Sequence, residues 1–261
     1  MKLPLYQVDA FTDTQFHGNP AAICPLTAWL DDELLQAIAE ENNLSETAFY
    51  IPEGENFHIR WFTPVCEVDL CGHATLATGH VLFYHRGYAG SLITFSSRSG
   101  ELKVRKSGER LILDFPVDHL SPVPAPPGFA EALGIAPLEV YRGKDDFLAV
   151  YARQEEIEEM RPDFARVEKV PARGIIVTAP GRSVDFVSRF FGPQSGIAED
   201  PVTGSAHTTL MPYWSKRLGK TVLSATQVSK RRGELQCTLR GDRVEIGGQA
   251  CTYMVGEITI L

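Results

Sequence analysis

A chain of 261 residues, 44% hydrophobic and 22% charged, can bury a full core as one large domain or two smaller ones. A formal net charge of −8 argues against a nucleic-acid partner, since phosphate binding needs a basic face and the longest basic run is Lys230-Arg231-Arg232. No apolar run reaches the roughly 18 residues of a membrane span, and the opening residues lack a signal-type apolar core, so a cytoplasmic address with no membrane partner is expected.

In chain order, Leu3, Leu5, Val8 and Ala10 alternate as a strand would, and Gly18-Asn19-Pro20 marks a turn. Asp31 to Glu41 reads as a helix, with Leu34, Leu35, Ile38 and Ala39 on one face and acids at its start, where the helix dipole favours them. It stops at Asn42-Asn43. Leu44 to Ile51 turns β-rich at its end, and Phe57 to Pro64 is a strand closed by proline. A helix bracketed by Gly72 and Gly87 follows, then a meander of Leu92–Ser96, Gly100–Arg105 and Arg110–Phe115. Ser121 to Gly128 holds four prolines in eight residues and reads as a semi-rigid connector. Beyond it lie a short helix at Phe129–Leu133, strands near Phe147–Ala152 and Gly174–Thr178, an acidic stretch at Gln154–Met160, and Val184–Phe191. A second helix bracketed by Gly204 and Gly219 precedes three short strand patterns.

The five cysteines, Cys24, Cys66, Cys71, Cys237 and Cys251, are an odd number in a chain too large to need staples, which fits reduced thiols. Cys66, Cys71 and His73 lie near one another in sequence, but no further ligand spacing completes a zinc site, so small buried thiols are the better reading and no metal is expected.

The two bracketed helices belong to a longer repeat. Glu67 stands five residues before Gly72 as Glu199 stands five before Gly204, and the Gly-Glu turn at 100 and the Gly-acid-Arg turn at 108 recur at 233 and 241. One ordered, nearly constant offset points to duplication of a strand-rich lobe built on one helix. Each helix is apolar around much of its circumference and so is expected to be wrapped by its own sheet.

Helix starts leave N–H groups unpaired and carry positive potential, so Cys71, Gly72 and Ala74 at one, and Thr203 and Gly204 at the other, are candidates to hold a substrate carboxylate. Plain helix capping by Cys71 and Thr203 fits the same residues. His73, Asp200, Ser205 and Glu46 are the candidates for proton chemistry. Glu46 lies among Leu44, Ala48 and Phe49, where desolvation would favour a proton-shuttling carboxyl.

The motifs Val8-Asp9-Ala10-Phe11, Gly18-Asn19-Pro20-Ala21-Ala22, Asn43 to Phe49, Arg60 to Pro64, Glu67 to Thr75 and Glu199 to His207 together resemble the phenazine-biosynthesis PhzF-like family, of the diaminopimelate-epimerase-like fold, nearly end to end. That resemblance implies an α+β fold of two similar lobes, residues 1–117 and 118–250, with a last strand near 251–261 returning to the first. Each lobe would be an antiparallel barrel-like sheet around a central helix, related by a pseudo-dyad with the active site between them. It also implies a homodimeric isomerase without cofactor, in which Glu46 moves a proton between carbons of a small cyclic amino-acid-like carboxylate, assisted by His73, Asp200 and Ser205. Epimerases of that fold use two opposed cysteines. Here Cys71 meets Thr203, too weak an acid to reprotonate a carbanion, which disfavours two-thiol chemistry and leaves a Cys71 epimerase or a carboxylate-binding protein as alternatives.

Overall fold

The computed structural model describes residues 1–261 apart from Ser195, and the chain divides into two compact units, Met1–Asp114 with Gly247–Leu261, and Phe115–Ile246. The fold is α+β, rich in strands with few helices. Among the described residues no helix is long and apolar enough to cross a membrane.

The first unit opens with β1 (Lys2–Ala10), which pairs antiparallel with β2 (Asn19–Pro25) on one side and with the chain's last strand, Ala250–Thr259, on the other. Gly18-Asn19-Pro20 is not wholly a turn, because Asn19 and Pro20 already pair with Ala10 and Asp9. The turn proper ends at Gly18, whose φ of +64° and missing Cβ are both required, as a Cβ there would sit 2.2 Å from the Ala10 carbonyl oxygen. Helix α1 (Asp32–Asn42) follows with Asp31 as N-cap, and Asn43 ends it in the left-handed region at φ 48°. Strand β3 (Glu46–Glu53) then runs parallel to β2, with Glu46 opposite Ala21, and β4 (Asn56–Phe62) returns antiparallel. After β5 (Glu67–Val68) comes α2 (Gly72–Tyr84), then the meander β6 (Leu92–Ser97), β7 (Gly100–Ser107) and β8 (Arg110–Pro116), antiparallel as the turn residues require.

Ten of the 13 residues of α2 are buried, so the helix has no solvent face. It ends at Tyr84, short of Gly87, which stands two residues past the His85 cap at positive φ. Gly79 lets it approach β7, where an added Cβ would lie 2.7 Å from a Val104 methyl.

The second unit contains β9 (Ser121–Pro122), α3 (Phe129–Leu133), β10 (Glu139–Arg142), β11 (Asp146–Val150), α4 (Gln154–Glu158), α5 (Phe164–Val167), β12 (Gly174–Pro180), β13 (Phe186–Gly192) and β14 (Ile197–Asp200). The proline-rich stretch, expected as a semi-rigid connector, also takes part in the sheet: Ser121 and Pro122 pair with Arg142 and Tyr141, and Val123 N–H donates to the Val140 carbonyl at 3.0 Å. Helix α6 (Ala206–Leu218) starts two residues later than its sequence bracket, since Gly204 and Ser205 form a turn, and Gly219 ends it at φ 66°. Trp214 of α6 is buried and donates through Nε1 to Thr178 Oγ1 at 3.0 Å. Four strands follow rather than three, β15 (Val222–Gln227), β16 (Gly233–Arg240), β17 (Arg243–Gly248) and the terminal strand of the first unit. That terminal strand carries exposed residues at Tyr253 and Val255, which blurs its alternation in sequence.

The glutamates of the repeat have a structural use in both units. Glu67 takes a two-point salt bridge from Arg60, at 2.7 and 2.8 Å, and Arg60 also lies 5.1 Å from the Phe62 ring centre. Glu199 takes the same two-point bridge from Arg189, at 2.7 and 2.8 Å, and Arg189 lies 4.9 Å from the Phe191 ring centre. Each pair joins two neighbouring strands just ahead of a central helix.

Arg189 is nearly buried, and its remaining donors reach the Ile157 and Met160 carbonyls. Removing its partner strands a buried charge, so Glu199→Ala is expected to lower unfolding free energy by about 3 kcal/mol in urea titration. Glu257→Ala, which breaks the exposed bridge to Lys2, serves as the control and should shift it by less than about 0.5 kcal/mol.

Candidate functional site

Parallel pairing of β2 with β3 brings the start of β2, at Asn19, and the start of β3, at Glu46, to one edge of the first unit, where α2 begins. His73, the second residue of α2, stands between them. Its Nε2 lies 3.2 Å from Glu46 Oε2, and its Nδ1 lies 3.2 Å from Asn19 Nδ2 and 3.5 Å from Cys71 Sγ. Asn19 is fully buried, His73 is 4% exposed and Cys71 6%, and the Glu46 side chain is 13% exposed. Glu46 is thus the member of this group with the most access to solvent.

Burial pushes His73 down to about 3, so the ring is neutral at physiological pH. Cys71 is the N-cap of α2 but makes no side-chain cap bond, and its carbonyl accepts instead from Thr75 Oγ1 at 2.5 Å. Capping by the Cys71 side chain is therefore not what this residue supplies. Gly72 opens the helix and Ala74 is fully buried behind it. Glu46, Cys71 and His73 each bring a potential metal-ligand atom within 4.8 Å of the others. The thiol faces Nδ1 while the carboxylate faces Nε2, however, and one ion cannot bind both nitrogens of a ring. Cys66 is exposed and is not in this group.

In the second unit Asp200 is the last residue of β14 and accepts from Thr203 Oγ1 at 2.6 Å. The Thr203 hydroxyl proton is therefore committed to a carboxylate, and this side chain does not cap α6. Gln227 locks the same loop: its Oε1 accepts from Thr203 N–H at 2.9 Å, and its Nε2 donates to the Asp200 carbonyl at 2.8 Å and to Thr203 Oγ1 at 3.2 Å. Ser205, after Gly204, makes no side-chain cap bond either, and its hydroxyl oxygen accepts from Arg173 Nη2 at 3.1 Å. Arg173 is oriented by two bonds to the buried carboxylate of Asp146, from Nε at 2.9 Å and from Nη2. One turn on, the buried ring of His207 approaches the Thr203 carbonyl through Nδ1 at 2.9 Å, and burial holds this histidine down at about 4.

The structure thus joins Glu46, His73 and Cys71 in one cluster and Asp200 with Thr203 in another, with Ser205 tied to Arg173. Asn19, Gln227, Arg173 and Asp146 carry these bonds and were not singled out from sequence. Only Asn19 lay in a motif that could have flagged it.

This α+β frame is one that epimerases use: the crystal structure of a hydroxyproline epimerase from Agrobacterium vitis superposes with a TM-score of 0.62 over 98% of this chain and 92% of that one, at 9% identity, a likeness of fold alone. More narrowly, residues 8–256 match the model of the phenazine biosynthesis-like protein family, and the chain belongs to that family. An uncharacterized isomerase of Pseudomonas aeruginosa is 56% identical over 258 residues, covering 99% of each chain. A PhzF-family crystal structure from Enterococcus faecalis superposes with a TM-score of 0.97 at 48% identity, covering all of both chains.

The two buried histidines make stability depend on pH in a definite direction. Their folded values lie below the unfolded value near 6.5, so the unfolded chain binds the extra protons, and the stability present above pH 6.5 is lost as pH falls toward 4 to 3. Each should contribute a loss of about 2 kcal/mol between pH 7 and pH 5, measurable by denaturant unfolding at the two values. The His207→Gln variant should show a correspondingly smaller difference between them.

Proposed function

We propose that this protein is a cofactor-independent isomerase that moves a proton between carbons of a small, carboxylate-bearing, cyclic amino-acid-like substrate, with Glu46 as the single general acid and base. The observation that carries the reading is the Glu46–His73 contact. A carboxylate with limited solvent access lies 3.2 Å from a neutral imidazole at the start of a buried helix. A base so placed can take a proton from carbon and keep it for return, because little water competes for it. The first-turn N–H groups of α2, at Gly72, His73 and Ala74, supply donors for a substrate carboxylate, and the N-cap residue Cys71 makes no side-chain cap bond to them. Gly204 and Ser205 are assigned the same work in the second unit, where the Thr203 N–H is held by Gln227 and Thr203 serves to shape the loop, with Asp200 and the Ser205 hydroxyl orienting the substrate. The names of the relatives, isomerase among them, support the reaction class. The family resemblance supports a homodimer.

Cys71 sustains one other reading, an epimerase, since its thiol lies 3.5 Å from an imidazole nitrogen. Against it stands Thr203, whose proton is held by Asp200 rather than offered to a carbanion.

The two readings separate in deuterated water with a panel of cyclic amino-acid carboxylates, scored by mass spectrometry for deuterium gained at carbon. Glu46→Gln should lower exchange at least ~100-fold while Cys71→Ala keeps it within a few-fold. Exchange that survives the first change and is lost with the second would make the thiol the acid and base. Ligands that bind and raise thermal stability with no exchange at all would make the protein a binding protein.

A further inference from the structure

An amide nitrogen and a thiol sulfur converge on one nitrogen of His73, and this bears on a residue outside the proposed proton chemistry. Asn19 Nδ2 and Cys71 Sγ both face Nδ1, at 3.2 and 3.5 Å, while a carboxylate oxygen faces Nε2. An amide nitrogen can only donate. Nδ1 is therefore the acceptor, and the ring proton sits on Nε2, the nitrogen that lies 3.2 Å from Glu46 Oε2.

From this arrangement we infer that Asn19 is a positioning residue: it fixes the Nε2–H tautomer of His73 independently of the protonation state of Glu46, and so keeps a proton on the ring nitrogen that faces Glu46, which never becomes its proton acceptor. The distinction matters to the isomerase reading, on which this role in turnover rests. When Glu46 has taken a proton from substrate, the carboxyl no longer requires a donor opposite it. A ring free to change tautomer could then accept that proton at Nε2 while releasing another from Nδ1, and the proton would leave the site. With Nδ1 held as an acceptor by the Asn19 amide, that exit is closed and the proton stays on Glu46 for return to carbon. The fold makes the hold firm, because Asn19 is fully buried in β2, opposite Ala10 and one residue past the Gly18 turn that admits no side chain.

The test uses the full-length protein without any substrate, so its result does not depend on whether Glu46 catalyses a reaction. In protein labelled with nitrogen-15 histidine, two-bond correlation spectra report which ring nitrogen carries the proton, and the His73 signals are those lost in His73→Gln. The wild type is expected to show a protonated Nε2 and a bare Nδ1. The deciding variant is Glu46→Gln, because a glutamine amide can turn either its carbonyl or its NH2 toward the ring and so dictates no tautomer. Retention of Nε2–H in E46Q, and in E46Q/C71A, is expected. In E46Q/N19D the new carboxylate should draw the proton to Nδ1 and exchange the two nitrogen signals. A mixed or reversed tautomer in E46Q would show that Glu46 sets it, loss only in E46Q/C71A would show that the thiol does, and either result overturns the assignment. Should the N19D change prevent folding, the E46Q pair alone decides.

Discussion

A helix buried on every side is the constraint on which the first unit depends. Such a helix has no polar face to give to water, so strands must enclose it, and only its ends remain to be satisfied. In α2 the side that would carry charges in a surface helix carries Thr75, Thr78 and Gly79 instead. The threonine hydroxyls turn back onto the carbonyls of Cys71 and Ala74, and Gly79 accepts the close approach of Val104. The start of the helix then becomes a fixed point within the protein to which other side chains are referred. Glu46 and Asn19 reach it because two parallel strands begin at the same edge.

The same burial decides the electrostatics. A histidine at a helix start is already in a poor place for positive charge, and enclosure makes the neutral ring the only stable form at ordinary pH. Neutral His73 can orient a carboxylate without neutralising it, as an imidazolium would. The bonds around Thr203 show the contrasting case, where Asp200, Gln227 and a backbone amide are matched donor to acceptor and hold a loop shut.

Much of this was legible in the sequence because it rests on local pattern. The helices at Gly72 and Ala206, the meander from Leu92 and the short helix at Phe129 each follow from periodicity and from turn residues at their ends. Glu46 and His73, which the structure brings together, lay in motifs that singled them out as candidates. What escaped was work done by residues whose partners are distant in the chain, such as Asn19 with His73, Arg173 with Asp146 and Gln227 with Thr203. A polar residue within a strand pattern gives no sign of which loop it will meet. Gly18-Asn19-Pro20 misled for a related reason: all three are turn formers, yet backbone pairing claims two of them. The pairing within the proline-rich run at Ser121 went unread likewise, since two residues of pairing with β10 are too few to leave a periodic trace.

The pairing of β1 with Ala250–Thr259 bears on how the protein is made. Lys2 and Thr259 are register partners, so the first unit is the first to begin emerging from the ribosome and cannot be closed until the last strand has followed it out. All of Phe115–Ile246 is synthesised in between and has its full complement of strands earlier. During translation β1 carries an unpaired edge for most of the chain's synthesis, a period in which a nascent chain is open to wrong partners. The order in which the units can be completed is therefore the reverse of the order in which they begin: the second can be complete while the first, which holds Glu46 and His73, still waits for its closing strand.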